Sequence, residues 1–130
     1  MTEKSDEVDE AIAALKGTFP NESGRLASLK MRLVELRSTE EDMSNLDRNH
    51  KLGYIKDEEY LHRYDQLNLR RNVLLEEVRE EGTNPLVDAL EDKKEKSRLR
   101  KLADSIVSYK DVLQALAEIA AAAGRKLATG

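Results

Sequence analysis

A chain of 130 residues is one domain's worth, long enough to bury a core when its helices pack efficiently. Charged residues make up 37% and aromatics 4%, with no Trp and no Cys; this excludes disulfides and thiolate metal sites and matches the makeup of coiled coils and long helices. The net charge of −4 gives no overall positive excess for phosphate binding, and neither the acidic opening nor any later stretch has the apolar run that a secretion signal or a bilayer span needs, so a soluble, cytoplasmic protein is expected.

The first helix is expected from Ser5 to Lys16, with Ser5 as cap and Asp6 and Glu7 at the positive end of the dipole. Val8, Ile12 and Leu15 form its apolar stripe, and Gly17 supplies a stop. Residues 1–20 therefore read as a short N-terminal arm. A second helix, about 21–51, carries Leu26, Leu29, Leu33 and Leu36 at steps of three and four, an a/d seam. The same register continues through Glu40, Met43, Asp47 and His50, so the seam turns polar.

Leu52-Gly53-Tyr54-Ile55-Lys56 reads as a tight turn, and Asp57 as the cap of a third helix, about 57–81. Its seam is Tyr60, Tyr64, Leu67, Arg71, Leu74 and Val78. So short a connection makes the two helices antiparallel neighbours and brings Arg71 level with Glu40. That pair suggests a polar layer fixing register; the alternative is that both side chains snorkel outward. Gly82 ends the third helix, and Thr83-Asn84-Pro85 reads as a break, a cap and a Pro at the first helical position.

The last helix is expected from about 85 to 123, on the order of 60 Å long. Its heptad runs Leu99, Leu102, Ile106, Tyr109, Leu113, Leu116, Ala120 and Ala123. Residues 91–98 contain no large apolar side chain, so that stretch either bridges two packed bodies or kinks. Gly124 is the expected stop, with 125–130 a frayed tail. The expected fold is all-α: an antiparallel hairpin plus one long C-terminal helix, a coiled-coil-like bundle over 21–124. Because the last helix outreaches either arm of the hairpin, its seam lacks a match within the chain, and a homodimer packed through Leu99 to Leu116 is expected.

Three constellations bear on chemistry. Asp47 with His50 and Glu59 with His62 each place a carboxylate and an imidazole three residues apart, and Glu-x-x-His on facing helices is the arrangement of di-iron bundles. His62, however, lies roughly 200° round its helix from Tyr60, so two surface histidines near a hairpin tip is the preferred reading and no metal is expected. The run Lys93 to Lys101 holds six cations, Lys93, Lys94, Lys96, Arg98, Arg100 and Lys101. It suits nucleic acid, an anionic membrane or an acidic partner, or else it is balanced internally by Asp88, Glu91, Asp92 and Asp104; no aromatic is interleaved for base stacking. The alanines from Ala117 to Ala123 fit a close helix contact, or simply the best helix former. No nucleophile elbow or phosphate loop is present, so no enzyme activity, cofactor or small-molecule substrate is expected.

The stretch from Leu46 through Gly53, Ile55, Asp57, Glu58, Glu59 and Tyr60 to Leu67 resembles the short helix–turn–helix family called SHOCT. The resemblance covers residues 46–67 only, and it implies an oligomerisation or docking element, not a catalytic one. The expected function is that of a helical interaction or scaffold protein, partnered by itself and by another protein. An anionic-surface binder and a metal-binding bundle are the alternatives.

Overall fold

The computed structural model describes residues 6–129, with side chains through Arg125, and every regular element among them is helical. Helix α1 spans Glu7–Thr18, a 3-10 turn spans Pro20–Glu22, α2 spans Ser23–Lys51 and α3 spans Asp57–Val78. A wide π turn, Arg79–Thr83, leads into α4, Asn84–Asp88; α5 is Lys93–Asp104 and α6 is Tyr109–Thr129.

Asp6 caps α1 by accepting a 2.8 Å hydrogen bond from the Val8 amide, while the expected cap, Ser5, lies outside the described residues. Gly17 does not stop the helix; it stays within α1, and Phe19 closes the end by donating its amide to the Leu15 carbonyl. Val8, Ile12, Leu15 and Phe19 are all buried, and α1 packs on α6 and α2. A twelve-residue helix is marginal alone, so this docking is what holds it.

Leu26, Leu29, Leu33 and Leu36 of α2 are buried, and Leu74, Leu75 and Val78 of α3 join them in one core cluster. Ion pairs Arg32–Glu77 (2.8 Å) and Glu35–Arg70 (4.0 Å) and the hydrogen bond from Tyr60 to Asp47 (2.7 Å) match rising numbers on α2 with falling numbers on α3, so the two helices run in opposite directions. Gly53, at φ 82°, turns the chain between them in a conformation that penalises any side chain. Met43 and Leu46 are buried as well, yet they stand outside the main cluster. The distal half of the pair thus extends away from a base formed by α1, α4, α5, α6 and the proximal halves.

No break separates α3 from α4. Thr83 and Asn84 keep helical dihedrals, and the chain passes from Asp57 to Asp88 as one helix interrupted by the π turn. Pro85 has no N–H for the carbonyl four residues back, that of Glu81; Arg25 of α2 donates to that oxygen instead, at 2.8 Å. Gly82 is buried where the turn meets α2, and a Cβ there would lie 2.7 Å from Leu29 Cδ1. Its role is close approach rather than helix termination.

The long C-terminal helix expected from the heptad is three helices. Asp92 starts α5 by accepting from the amides of Lys94 (2.9 Å) and Glu95 (3.1 Å). Ser105 closes α5. Ser108 then accepts from the Asp111 amide (3.3 Å), and Asp111 accepts in return from the Val107 amide (3.0 Å). These reciprocal caps satisfy amides that a continuous helix would have used internally. The chain turns at both places, so α5 packs against α6. Gly124 is not a stop, and the helical backbone runs through the expected tail to Thr129.

The Gly82 contact generates a testable coupling. Gly82→Ala should cost about 1–2 kcal/mol, overpacking being partly offset by helix propensity, and Leu29→Ala about 2–5 kcal/mol. In urea unfolding, the double variant should lose clearly less than the sum, because each change makes room for the other. Strict additivity would show that the two positions do not touch.

Candidate interaction surface

The seam expected to join two chains is spent inside one. Leu99, Ile106, Tyr109 and Leu116 are at most 7% exposed, and Leu102 and Leu113 pack partly buried against the same core. The interchain seam is therefore corrected: the reversal at 105–108 lets α5 and α6 cover each other's stripes, with α1 on α6.

The Glu40–Arg71 layer is also corrected. Glu40 accepts a 2.8 Å hydrogen bond from the Tyr109 amide, the first of α6, whereas Arg71 donates to Asn68 at 2.9 Å and leaves its Nε buried without a partner. An orphan helix-start amide, created by the unexpected chain reversal, competes for Glu40 and wins. Around it lies a polar knot. Arg37 donates to Asp6 at 2.9 Å, its guanidinium carbon stands 5.9 Å from the Tyr109 ring centroid, and the Tyr109 hydroxyl donates to Glu7 at 3.3 Å. Arg37 and the Val8 amide hold the Asp6 carboxyl below its ordinary value; burial pushes the Tyr109 hydroxyl up.

At the α2–α3 turn the structure brings Asp47, His50 and Tyr60 together. The His50 and Tyr60 rings stack at 4.1 Å and 14°, Tyr60 donates to Asp47, and His50 Nε2 lies 2.7 Å from Asp57. The Asp47 hydrogen bond raises the Tyr60 pKa. Glu59 instead accepts from Arg63 at 3.2 Å, and His62 is exposed elsewhere on α3. Among the described residues no three His, Asp or Glu side chains gather as a metal site would require. The four candidate ligands are thus dispersed: Asp47 and His50 make polar contacts that brace the turn, Glu59 pairs along α3, and His62 is exposed.

The basic run divides into two. Arg98 bridges Glu95 and Glu118, at 2.8 Å each, and Arg100 pairs with Asp88. Lys93, Lys94 and Lys101 are exposed and Lys96 is half-buried; none of the four forms an ion pair among the described residues. Lys94, Ser97, Arg98, Lys101 and Leu102 line one shallow depression along α5.

The outer face of α3 is the feature that reading the seam alone passes over. Tyr60, Tyr64, Leu67 and Arg71 are at least half-buried and Leu74 and Val78 are buried, so they mark the inward side. Opposite them Leu61, Leu69 and Val73 are 58%, 66% and 46% exposed. Their signal was present in the sequence as a second stripe, eight and four residues apart on a helix whose first stripe already accounted for a core. No helix among the described residues is long and apolar enough to cross a membrane.

The knot predicts a pH signature with a definite sign. A carboxyl lowered on folding stabilises above its unfolded value, near 3.9, and that contribution fades as pH falls through the lower folded value. Asp6→Asn keeps an acceptor for the cap but not the charge, so it should be less stable than wild type at neutral pH, with the gap closing in acid. A pH-independent gap in thermal unfolding would refute this. Glu40→Ala should separately cost about 1 kcal/mol as a lost cap. No known protein-family model, curated protein or solved structure matches this chain.

Proposed function

We propose that the chain is a non-enzymatic helical interaction protein, a scaffold whose α2–α3 pair is a coiled-coil-type hairpin presented to another protein. The observation that carries this reading is the outer face of α3, where Leu61, Leu69 and Val73 stay exposed while the inward side of the same helix is buried or half-buried. Clustered exposed aliphatics on a helix are what partner helices cover. The buried 99–116 seam removes the original ground for a homodimer, so the principal partner is a different protein.

The test is site-specific photocrosslinking in the native source, with the photoreactive residue at Leu69 and, as a control, at the exposed Gln114 of α6. A discrete adduct from position 69 and none from 114 is expected. The same faint ladder from both positions would sink the reading.

A second reading is favoured by Lys93, Lys94 and Lys101 on α5, which are exposed and form no ion pair among the described residues. It makes the depression along Lys94 and Lys101 a contact for an anionic surface, nucleic acid or membrane. Lys94→Glu combined with Lys101→Glu should then abolish a salt-sensitive association with such a surface. Binding that survives charge reversal would remove α5 from consideration.

A further inference from the structure

Charge on the outer face of α3 says more than its apolarity. Glu58, Asp65, Glu76 and Glu80 are exposed, at helical spacings that place them among Leu61, Leu69 and Val73, and none of the four forms an ion pair among the described residues. The acids toward α2 or in line with their own basic neighbours behave differently: Glu59 pairs with Arg63, and Glu77 and Glu81 both pair with Arg32. No Lys or Arg of α3 falls on the outer strip, where His62 is the one basic side chain; Arg79, beside Glu80, is drawn away to the Ile106 carbonyl at 2.9 Å. The outer face is a strip on which aliphatic side chains and unneutralised carboxylates are interspersed, roughly 27 Å from Glu58 to Glu76 on α3, with Glu80 following in the π turn.

We infer that this strip is the docking site for a basic amphipathic helix of another protein, one whose aliphatic side chains meet Leu61, Leu69 and Val73 and whose neighbouring Lys and Arg meet the four carboxylates interspersed among them. The inference deepens the interaction reading above and rests on it. A straight helix is the occupant that matches a straight strip, because ridges of side chains seat between those of α3 along its length. Charge complementarity sets the sign: a second copy laid α3 against α3 would oppose acid with acid, and anionic lipid or nucleic acid would meet the same repulsion. The cationic stripe of α5 in a second copy supplies charge but no aliphatic row, since Leu99 and Ala103 are buried.

The probe is a synthetic helical peptide of about 22 residues, with Leu at every third or fourth place and Lys or Arg flanking, beside a shuffled peptide of identical composition. Titration calorimetry on the full chain should show the patterned peptide binding at least about tenfold tighter than the shuffled one, a difference of about 1.4 kcal/mol, and weakening with salt. Two surface variants, L61S/L69S/V73S and E58Q/D65N/E76Q/E80Q, should each lose about tenfold or more. Their helical circular dichroism should be unchanged. Equal binding of the two peptides, or indifference to both variants, overturns the inference. So does a light-scattering mass of two chains that L69D returns to one, because a second copy would then occupy the strip. A discrete adduct at position 69 without patterned-peptide binding would leave the interaction reading standing and show the partner class to be wrong.

Discussion

Tyr109 sits where three distant parts of the chain meet. Its amide donates to Glu40 of α2, its hydroxyl donates to Glu7 of α1, and Arg37 of α2 reaches across its ring toward Asp6. The start of α6 and the start of α1 are thus fastened to the middle of α2 by groups that would otherwise be unsatisfied helix-end donors or isolated charges. The apolar packing of α1 on α6 follows from this placement, since both stripes then face inward. The position of Tyr109 in turn depends on the reversal at Ser105–Ser108. Had the last helix continued, Glu40 would have had no amide to accept, and Leu99 to Leu116 would have projected as an uncovered stripe.

The same arrangement divides the α2–α3 pair into two unlike halves. Toward the base, aliphatic side chains from several helices close a common core. Toward the turn, the buried Met43 and Leu46 are joined by aromatic and polar contacts: the His50–Tyr60 stack, the Tyr60–Asp47 hydrogen bond and the His50–Asp57 contact. Burial holds the first half, and a smaller apolar contact with directional ones holds the second. The distal half is therefore covered, among the described residues, by no third helix on its outer side, where Leu61 and Leu69 stay exposed.

Much of the local structure was legible in the sequence. The α2 leucines, the glycine turn at 53 and the inward positions of α3 follow from period and turn chemistry. The two breaks in the C-terminal third were legible too, and were overridden. Asp92-Lys-Lys-Glu95 and Ser108-Tyr-Lys-Asp111 both carry the cap-plus-acid spacing that opens a helix. The heptad from Leu99 to Ala123 runs through the second of them unbroken, because a stripe folded back on itself keeps the same spacing on either side of the bend. Periodicity reports which residues are buried, not whether their partner is another chain or the next helix. The Glu40–Arg71 pairing failed for a related reason: opposite charges at matching heights attract, but an orphan amide from a non-local segment cannot be foreseen from the two helices alone. The wide turn at 79–83 left no sequence signal other than Gly82 and Pro85, and both are more commonly read as a terminus.

That turn also acts as a phase shifter. Eight residues of α-helix advance a side chain by roughly 80°, which would swing Leu86 away from the face that Val78 presents to the core. A π turn absorbs one additional residue and takes back about 100°, returning Leu86, and with it the start of α4, to the buried side. The outer strip of α3 and the buried stripe of α4 therefore belong to one helix whose two ends are indexed differently. A single-residue deletion within 79–83 would therefore let the turn close as regular α-helix with both ends in their present phase, whereas one further inserted residue would be rotational: either α4 loses its place in the core, or the strip from Glu58 to Val73 turns by about a quarter of the helix circumference to face elsewhere.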